Sequence, residues 1–401
     1  MTDTTGSART ADLPLGLRVL RPALEGIEAG TLCVRWADER RWSFGGVRPG
    51  PKATIVVPRP AAALRRMLYN GATGFAEGYV AGDWDSPDLG ALLRMATLNM
   101  PADTMLSGVL FPGELVDRAA HLLRPNSPAG SRRNIHAHYD LGNEFYSLWL
   151  DPSMTYSCAM FDAECGSLDE AQTRKWDRLL DLLDPREGDD LLEIGCGWGG
   201  FAIHAARTRG LRVTGVTISD EQHAWALARV AEAGLSDRVE IRLQDYREIT
   251  GTFDHVASIE MFEAVGERYW PTFFRTVRDR LRPGGVAALQ TITIDHARFL
   301  DYRVRADFIQ RYVFPGGMVP SPKAFEQAAA DAGLRMQVPH FFGCDYAATL
   351  AEWERRFTSS IAEVRALGFD ERFERVWRYY LAYCRAGFSS GMIDVMQVAL
   401  R

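Results

Sequence analysis

No stretch of this 401-residue chain stays apolar for the roughly 18 residues that a membrane-spanning helix requires. Residues Met1 to Ala11 are polar and lack the apolar centre of a secretory signal. The six cysteines (Cys33, Cys158, Cys165, Cys196, Cys344 and Cys384) form no Cys-x-x-Cys pair and no zinc spacing. Scattered thiols of this kind are expected to stay reduced, in a cytoplasmic protein. Positive charge is not in excess either. The net charge of −6 argues against bulk nucleic-acid binding, so an anionic partner must be met by a local patch. Internal repeats and low-complexity tracts are absent. What is present, 47% hydrophobic and 24% charged residues, is ordinary globular material, enough for two domains. Any membrane contact is therefore expected to be peripheral.

The first part of the chain mixes strand and helix patterns. Thr31–Trp36 and Arg41–Phe44 alternate around Ala37–Arg40 and predict a hairpin. Ala53–Val57 predicts a further strand, and Ala61–Asn70 and Leu89–Met100 predict helices. Together they describe a small α+β domain over residues 1–123. Arg124–Arg133, with two prolines and a glycine, reads as a linker.

From residue 134 the pattern changes. Strand-like runs at Asp190–Ile194, Arg212–Ile218, Val239–Leu243, Phe253–Ile259 and Val286–Ile294 alternate with helical stretches. That alternation predicts parallel βαβ units and a doubly wound α/β sheet over 134–401. Ligands of such sheets sit beyond the carboxyl ends of the strands. The tail, Ser321–Arg401, reads as mainly helical.

One strand end is distinctive. Asp190–Ile194 carries a carboxylate, Glu193, near its end and opens into Gly195, Gly197 and Gly199, then a helical run from Phe201. A strand feeding a helix through glycines lets backbone N–H groups approach a ligand closely. The next strand end, about 20 residues on, carries Thr217, Ser219 and Gln222 in place of the acidic residue that would mark a dinucleotide ribose.

Glu193–Gly199 resembles the first motif of class I S-adenosylmethionine-dependent methyltransferases. The setting narrows this. His138–Asn143, Tyr156-Ser157-Cys158, Gly215–Ser219, Met261–Gly266 and Phe314–Gly317 together resemble the cyclopropane-fatty-acyl-phospholipid synthase family, which includes the mycolic acid cyclopropane synthases. The likeness is dense from Asn134 onward and looser over Leu17–Met100. It implies a Rossmann-like methyltransferase domain and an amino-terminal lipid-docking domain.

The resemblance implies that Tyr156, Ser157, Glu193, Gly195, Gly197, Trp198, Gly199, Thr217, Gln222, Tyr246 and Arg247 surround S-adenosylmethionine. A methionine carboxylate wants backbone donors, ribose hydroxyls want polar acceptors, and adenine wants an aromatic face. For Trp198 and Tyr246 core packing is an equal reading, and Cys196 reads as packing. The reaction implied is methyl transfer to the cis double bond of an unsaturated phospholipid acyl chain. It passes through a carbocation in a dry pocket, with Tyr139, Glu260, Phe308, Tyr312, Phe314 and Cys384 as lining candidates.

In the family a bound bicarbonate removes the final proton. By motif its holders here are Cys158, Glu263, Gln290, Tyr346 and the Ile292 amide. Gln290 departs from the family's histidine and is unable to shuttle a proton near neutral pH. Glu260 stands where the synthases commonly carry glycine. Cyclopropane formation is the default product, and a methylene or methyl branch is the alternative these two changes raise.

Two other readings are weighed: a methyltransferase for soluble small molecules, and a non-catalytic lipid-binding relict. The intact glycine loop and Glu263 argue against the relict, and the extra domain argues against a soluble substrate. His136 and His138 lack further ligands and read as structural, so no metal is expected. Arg65, Arg66, Arg132 and Arg133 read as solvated charges or as contacts to anionic lipid. The resemblance also implies a homodimer at the inner face of the membrane.

Overall fold

A computed structural model describes residues 13–99, 141–162, 166–303 and 307–401. The expected linker 124–133, with Arg132 and Arg133, and Tyr139, His136, His138 and Cys165 lie outside the described residues.

Three strands form the first sheet: β1 (Ala29–Trp36), β2 (Arg41–Gly45) and β3 (Arg48–Val57), in the order β2-β1-β3. The expected hairpin pairs β1 with β2, turning at Glu39 with φ 65°. β3 returns parallel to β1 and starts five residues earlier than the apolar run suggested. The predicted first helix runs on to Val80, kinking at Gly71, whose φ of 53° no branched side chain would adopt easily. A helix at Leu15–Glu25 was not expected from the sequence.

The second sheet has seven strands. β4 (Asp190–Ile194), β5 (Arg212–Thr217), β6 (Val239–Leu243), β7 (Phe253–Ile259) and β8 (Leu281–Ile294) are the five predicted ones. β9 (His340–Phe341) and β10 (Ile393–Leu400) complete the order β6-β5-β4-β7-β8-β10-β9. β4 to β8 pair in parallel, and β10 runs antiparallel to β8. The fold is an α/β methyltransferase-type sheet, parallel except at this edge. The tail is thus corrected in part: four helices precede a final strand that the helical expectation missed. β4 has β5 on one side and β7 on the other, so the chain reverses its winding there. A crevice at the carboxyl ends results.

The two sheets share packing. One cluster of buried side chains runs from Leu17, Val34 and Trp42 through Trp84 to Phe145, Trp353 and Trp377. The helix Glu371–Ser389 is the joint. Arg375 donates to the Tyr79 carbonyl (2.7 Å) and to Asp85 (3.0 Å), with its guanidinium 4.1 Å from the Tyr79 ring. On that side the Arg385 guanidinium lies over Gly90, 1.6 Å from where a Cβ would stand, so a larger residue there would displace the end of the arginine side chain. The next turns of the same helix present Tyr380, Tyr383 and Cys384 to the cavity described below.

Candidate active site

A cavity of about 360 Å³ opens at the carboxyl ends of β4, β5, β7 and β8. One end is polar. Glu193, next to the last residue of β4, is buried, and after Ile194 the chain turns through Gly195 (φ 85°) and Gly197 (φ 51°). A Cβ at Gly195 would meet Met261 at 2.7 Å, while at Gly197 it would meet nothing within 4 Å. Gly197 therefore leaves the cradle open on the cavity side. Gly199 (φ 81°) caps the helix Gly200–Arg209 and lets it pack on Ala226, 3.1 Å from where its Cβ would stand. It does not line the cavity. Thr217 at the end of β5 donates to Gln222 (2.9 Å), and both face the cavity.

Beyond β6, Arg247 forks onto Asp245 (2.8 and 2.6 Å) and lies 5.4 Å from the Tyr246 ring. Trp198 is almost fully buried and donates to Asn143 (2.6 Å), yet its exposed edge lines the cavity. Packing and ligand contact are thus compatible for Trp198. Tyr156 and Ser157 complete this end, Tyr156 sharing a hydrogen bond with Tyr380 (2.7 Å). An open glycine cradle, neutral acceptors at the second strand end and an aromatic ring at the third fit S-adenosylmethionine.

The other wall is mainly apolar, with Ile309, Phe314, Met318, Val319, Leu350 and Phe388, although Asp307 and Gln310 beside Ile309 also line the cavity. Two carboxylates line it as well. Glu260 Oε1 accepts from the Cys158 N–H (2.8 Å) and from Gln290 Nε2 (2.7 Å), and Oε2 accepts from the Tyr346 hydroxyl (2.6 Å). Glu263 accepts from Thr291 Oγ1 (2.9 Å) and the Ile292 N–H, and its Oε2 is buried without a partner among the described residues. Gln290 is oriented from behind. Its Oε1 accepts from Gln397 of β10 (2.9 Å), so its amide nitrogen faces Glu260.

Burial raises both carboxyls. For Glu263 the neighbouring Glu260 charge adds to the rise, while the hydrogen bonds from Tyr346, Gln290 and Cys158 pull Glu260 back down. The Ile292 and Thr291 hydrogen bonds act in the same lowering sense on Glu263. Burial also pushes Glu193 up to about 8. Behind the wall Lys175, fully buried, donates to Ser157 Oγ (2.7 Å) and Gln172 (2.5 Å), and burial brings its ammonium down to about 8. Sequence reading missed Lys175, Gln397 and Tyr380, since nothing local marks a lysine or glutamine that will be buried.

The residues named as bicarbonate holders do converge, but around Glu260. Cys158 offers its backbone N–H, while its thiol turns to the Ala159 carbonyl (3.1 Å), and burial pushes that thiol up. Gln290 and Tyr346 are spent on Glu260, and the Ile292 N–H on Glu263. A bicarbonate would find its donors taken and two carboxylates beside it, so these residues do not fit that anion. Phe308 and Tyr312 are set apart from the cavity. Phe308 packs against Tyr379 (4.7 Å), and the Tyr312 hydroxyl donates to Glu77 (2.6 Å) in a second cleft. Phe314 and Cys384 line the wall, and burial pushes the Cys384 thiol up. Arg66 pairs with Asp83 (2.7 Å). No metal cluster is found among the described residues.

The profile of the family described as mycolic acid cyclopropane synthetase matches residues 127–398. "Tuberculostearic acid methyltransferase UfaA1" of Mycobacterium tuberculosis is 43% identical over 370 residues, covering 87% of this chain and 84% of its own. "Cyclopropane-fatty-acyl-phospholipid synthase" of Escherichia coli is 35% identical over 346 residues, 84% of each chain. The solved mycolic acid cyclopropane synthase CmaA1, complexed with SAH and CTAB, superposes with TM-score 0.62 at 32% identity, over 67% of this chain and 97% of its own. With the glycine cradle and the switch-point cavity in hand, these likenesses lead to one conclusion: the chain belongs to the mycolic acid cyclopropane synthetase family and is an S-adenosylmethionine-dependent methyltransferase.

Proposed function

We propose that this enzyme transfers the methyl carbon of S-adenosylmethionine to the cis double bond of an unsaturated acyl chain in a membrane phospholipid. A single observation carries the reading: one cavity joins a glycine cradle to a mainly apolar wall, and two partly buried carboxylates line it as well. S-adenosylmethionine supplies, when bound, an electrophilic methyl on a sulfonium. The chain's residues hold the alkene in line and keep water out, since an isolated alkene is a weak nucleophile and water would quench the cation. Tyr156, Phe314, Tyr346 and Tyr380 line the cavity, and an aromatic face beside a positive charge is worth about 1–2 kcal/mol when desolvated.

Cyclopropane formation is the product we propose. A methylene-branched chain is a second reading. It is favoured by Glu260 and Gln290 standing at the proton-removing end and by the name of the tuberculostearic acid relative. The residues before 100, with Leu15, Val19, Val47 and Leu68 exposed, serve in this reading to dock a homodimer on the inner membrane face. No helix among the described residues is long and apolar enough to cross a membrane. The test is proton NMR and mass spectrometry of fatty acid methyl esters from cells making the protein in an oleate-rich host. A gain of one CH₂ with cyclopropane proton signals supports ring closure. A gain of one CH₂ with vinylidene signals supports the branch, and no gain contradicts the substrate class.

A further inference from the structure

We propose that the Glu260 carboxylate is itself the base that accepts the proton released by the reaction, standing in place of a bound bicarbonate. This rests on the reading of the cavity as a lipid methyltransferase site. The geometry is that of a held anion. Three donors from three separate segments converge on one carboxylate: a backbone N–H at Cys158, a side-chain amide from β8 and a phenol from the helix Gly343–Ser359. A carboxylate offers about four lone-pair positions. Cys158 and Gln290 fill Oε1, whereas Oε2 accepts from Tyr346 alone among the described residues, and Glu260 lines the cavity. Among the described residues one acceptor position of Oε2 is thus left open, on a side chain that lines the cavity.

The backbone supports a built feature. Glu260 sits at φ 49°, in the left-handed region where a side chain costs about 1 kcal/mol relative to glycine. A side chain kept there against that cost, with all its oxygens engaged, points to a role in the site. Neither Gln290 nor Tyr346 can take a proton in its place, the first being an amide and the second a phenol held well above its usual range by burial.

The step balances without a further reagent. The alkene π pair forms the new C–C bond, the methyl carbon's bond to sulfur breaks with its pair staying on sulfur, and a cation is left on the adjacent carbon. A C–H bond of the transferred carbon then breaks. Its electron pair closes the ring, or forms a methylene double bond after a 1,2-hydride shift, and the proton goes to Glu260 Oε2. The neutral acid returns it to water once product leaves.

The experiment follows S-adenosylhomocysteine and methylated lipid with the full-length protein, S-adenosylmethionine and dioleoylphosphatidylglycerol vesicles, in buffer stripped of bicarbonate and after adding it back. The wild type is expected to work equally in both. Glu260→Gly relieves the backbone and frees the three donors. It should fall about 100-fold in stripped buffer and recover with added bicarbonate. Glu260→Gln, which keeps the shape, should fall as far and not recover, and it carries the test if the glycine variant fails to bind S-adenosylhomocysteine. A wild type that requires bicarbonate, or a Glu260→Gln that keeps its rate in stripped buffer, overturns the proposal. So does a cofactor-binding Glu260→Gly that bicarbonate leaves inactive. A wild type that methylates no vesicle in either buffer fails earlier, on the substrate, and takes this proposal with it.

Discussion

Among the described residues, Tyr346 gives Glu260 the one hydrogen bond that reaches Oε2, at 2.6 Å. Bonds to ionised groups contribute about 1.5–3 kcal/mol, so Tyr346→Phe should lower kcat roughly tenfold to a hundredfold. S-adenosylmethionine affinity should barely change, because the phenol lies on the carboxylate side of the cavity. Initial rates on vesicles, with cofactor binding measured calorimetrically, check both halves. Glu193 carries a different prediction. Its carboxyl is raised to about 8 in the fold, chiefly by burial, against an ordinary 4.5. Between those values the folded chain holds a proton that the unfolded chain has lost, so this group's stabilisation is lost as pH rises through the window. Ligand-free Tm should therefore fall between about pH 5 and 8, and Glu193→Gln should flatten the fall. A variant whose Tm changes with pH as steeply as the wild type's would contradict the assignment.

At the scale of elements, the glycine turn after β4 separates two duties. Gly197→Ala and Gly199→Ala both strain a left-handed backbone, by about 1 kcal/mol. At Gly197 the methyl enters open space, whereas at Gly199 it presses on Ala226 at 3.1 Å. Gly197→Ala should thus weaken cofactor binding more than stability, and Gly199→Ala stability more than binding, as read by thermal shift with and without S-adenosylhomocysteine. β4 to β8 were legible because each is a short apolar run followed by a helical stretch, and the glycine turn was legible because only glycine suits its dihedral angles. β10 was not. Ile393–Leu400 follows a long helix in a stretch that reads as helical throughout, and its partner β8 lies about 100 residues away. Missing β10 hid Gln397, and with it the reason Gln290 points its amide at Glu260. The convergence on Glu260 was hidden for the same reason: its donors come from Cys158, Gln290 and Tyr346, far apart in sequence. The departure from glycine at position 260 was visible, but its backbone angle and its partners required the fold.

At the scale of the whole molecule, the helices Pro60–Val80 and Leu89–Leu98 beside the first sheet pack on the helix Glu371–Ser389, whose other turns line the cavity. Arg375 ties that helix to Tyr79 and Asp85. Arg375→Ala leaves the Tyr79 ring without its cation and should cost about 1–3 kcal/mol of stability, measured by denaturant unfolding. A loss of activity on vesicles that exceeds the loss of folded protein would tie the joint to the shape of the cavity. Equal losses would make it structural alone. The account as a whole turns on whether an acyl double bond meets the cofactor in this chamber. The most direct measurement incubates purified protein with methyl-labelled S-adenosylmethionine and vesicles of dioleoyl or, in parallel, fully saturated dipalmitoyl phospholipid, then counts label in the extracted lipid. The account predicts label in the dioleoyl lipid and none in the dipalmitoyl lipid, and equal labelling of the two, or none in either, would contradict it.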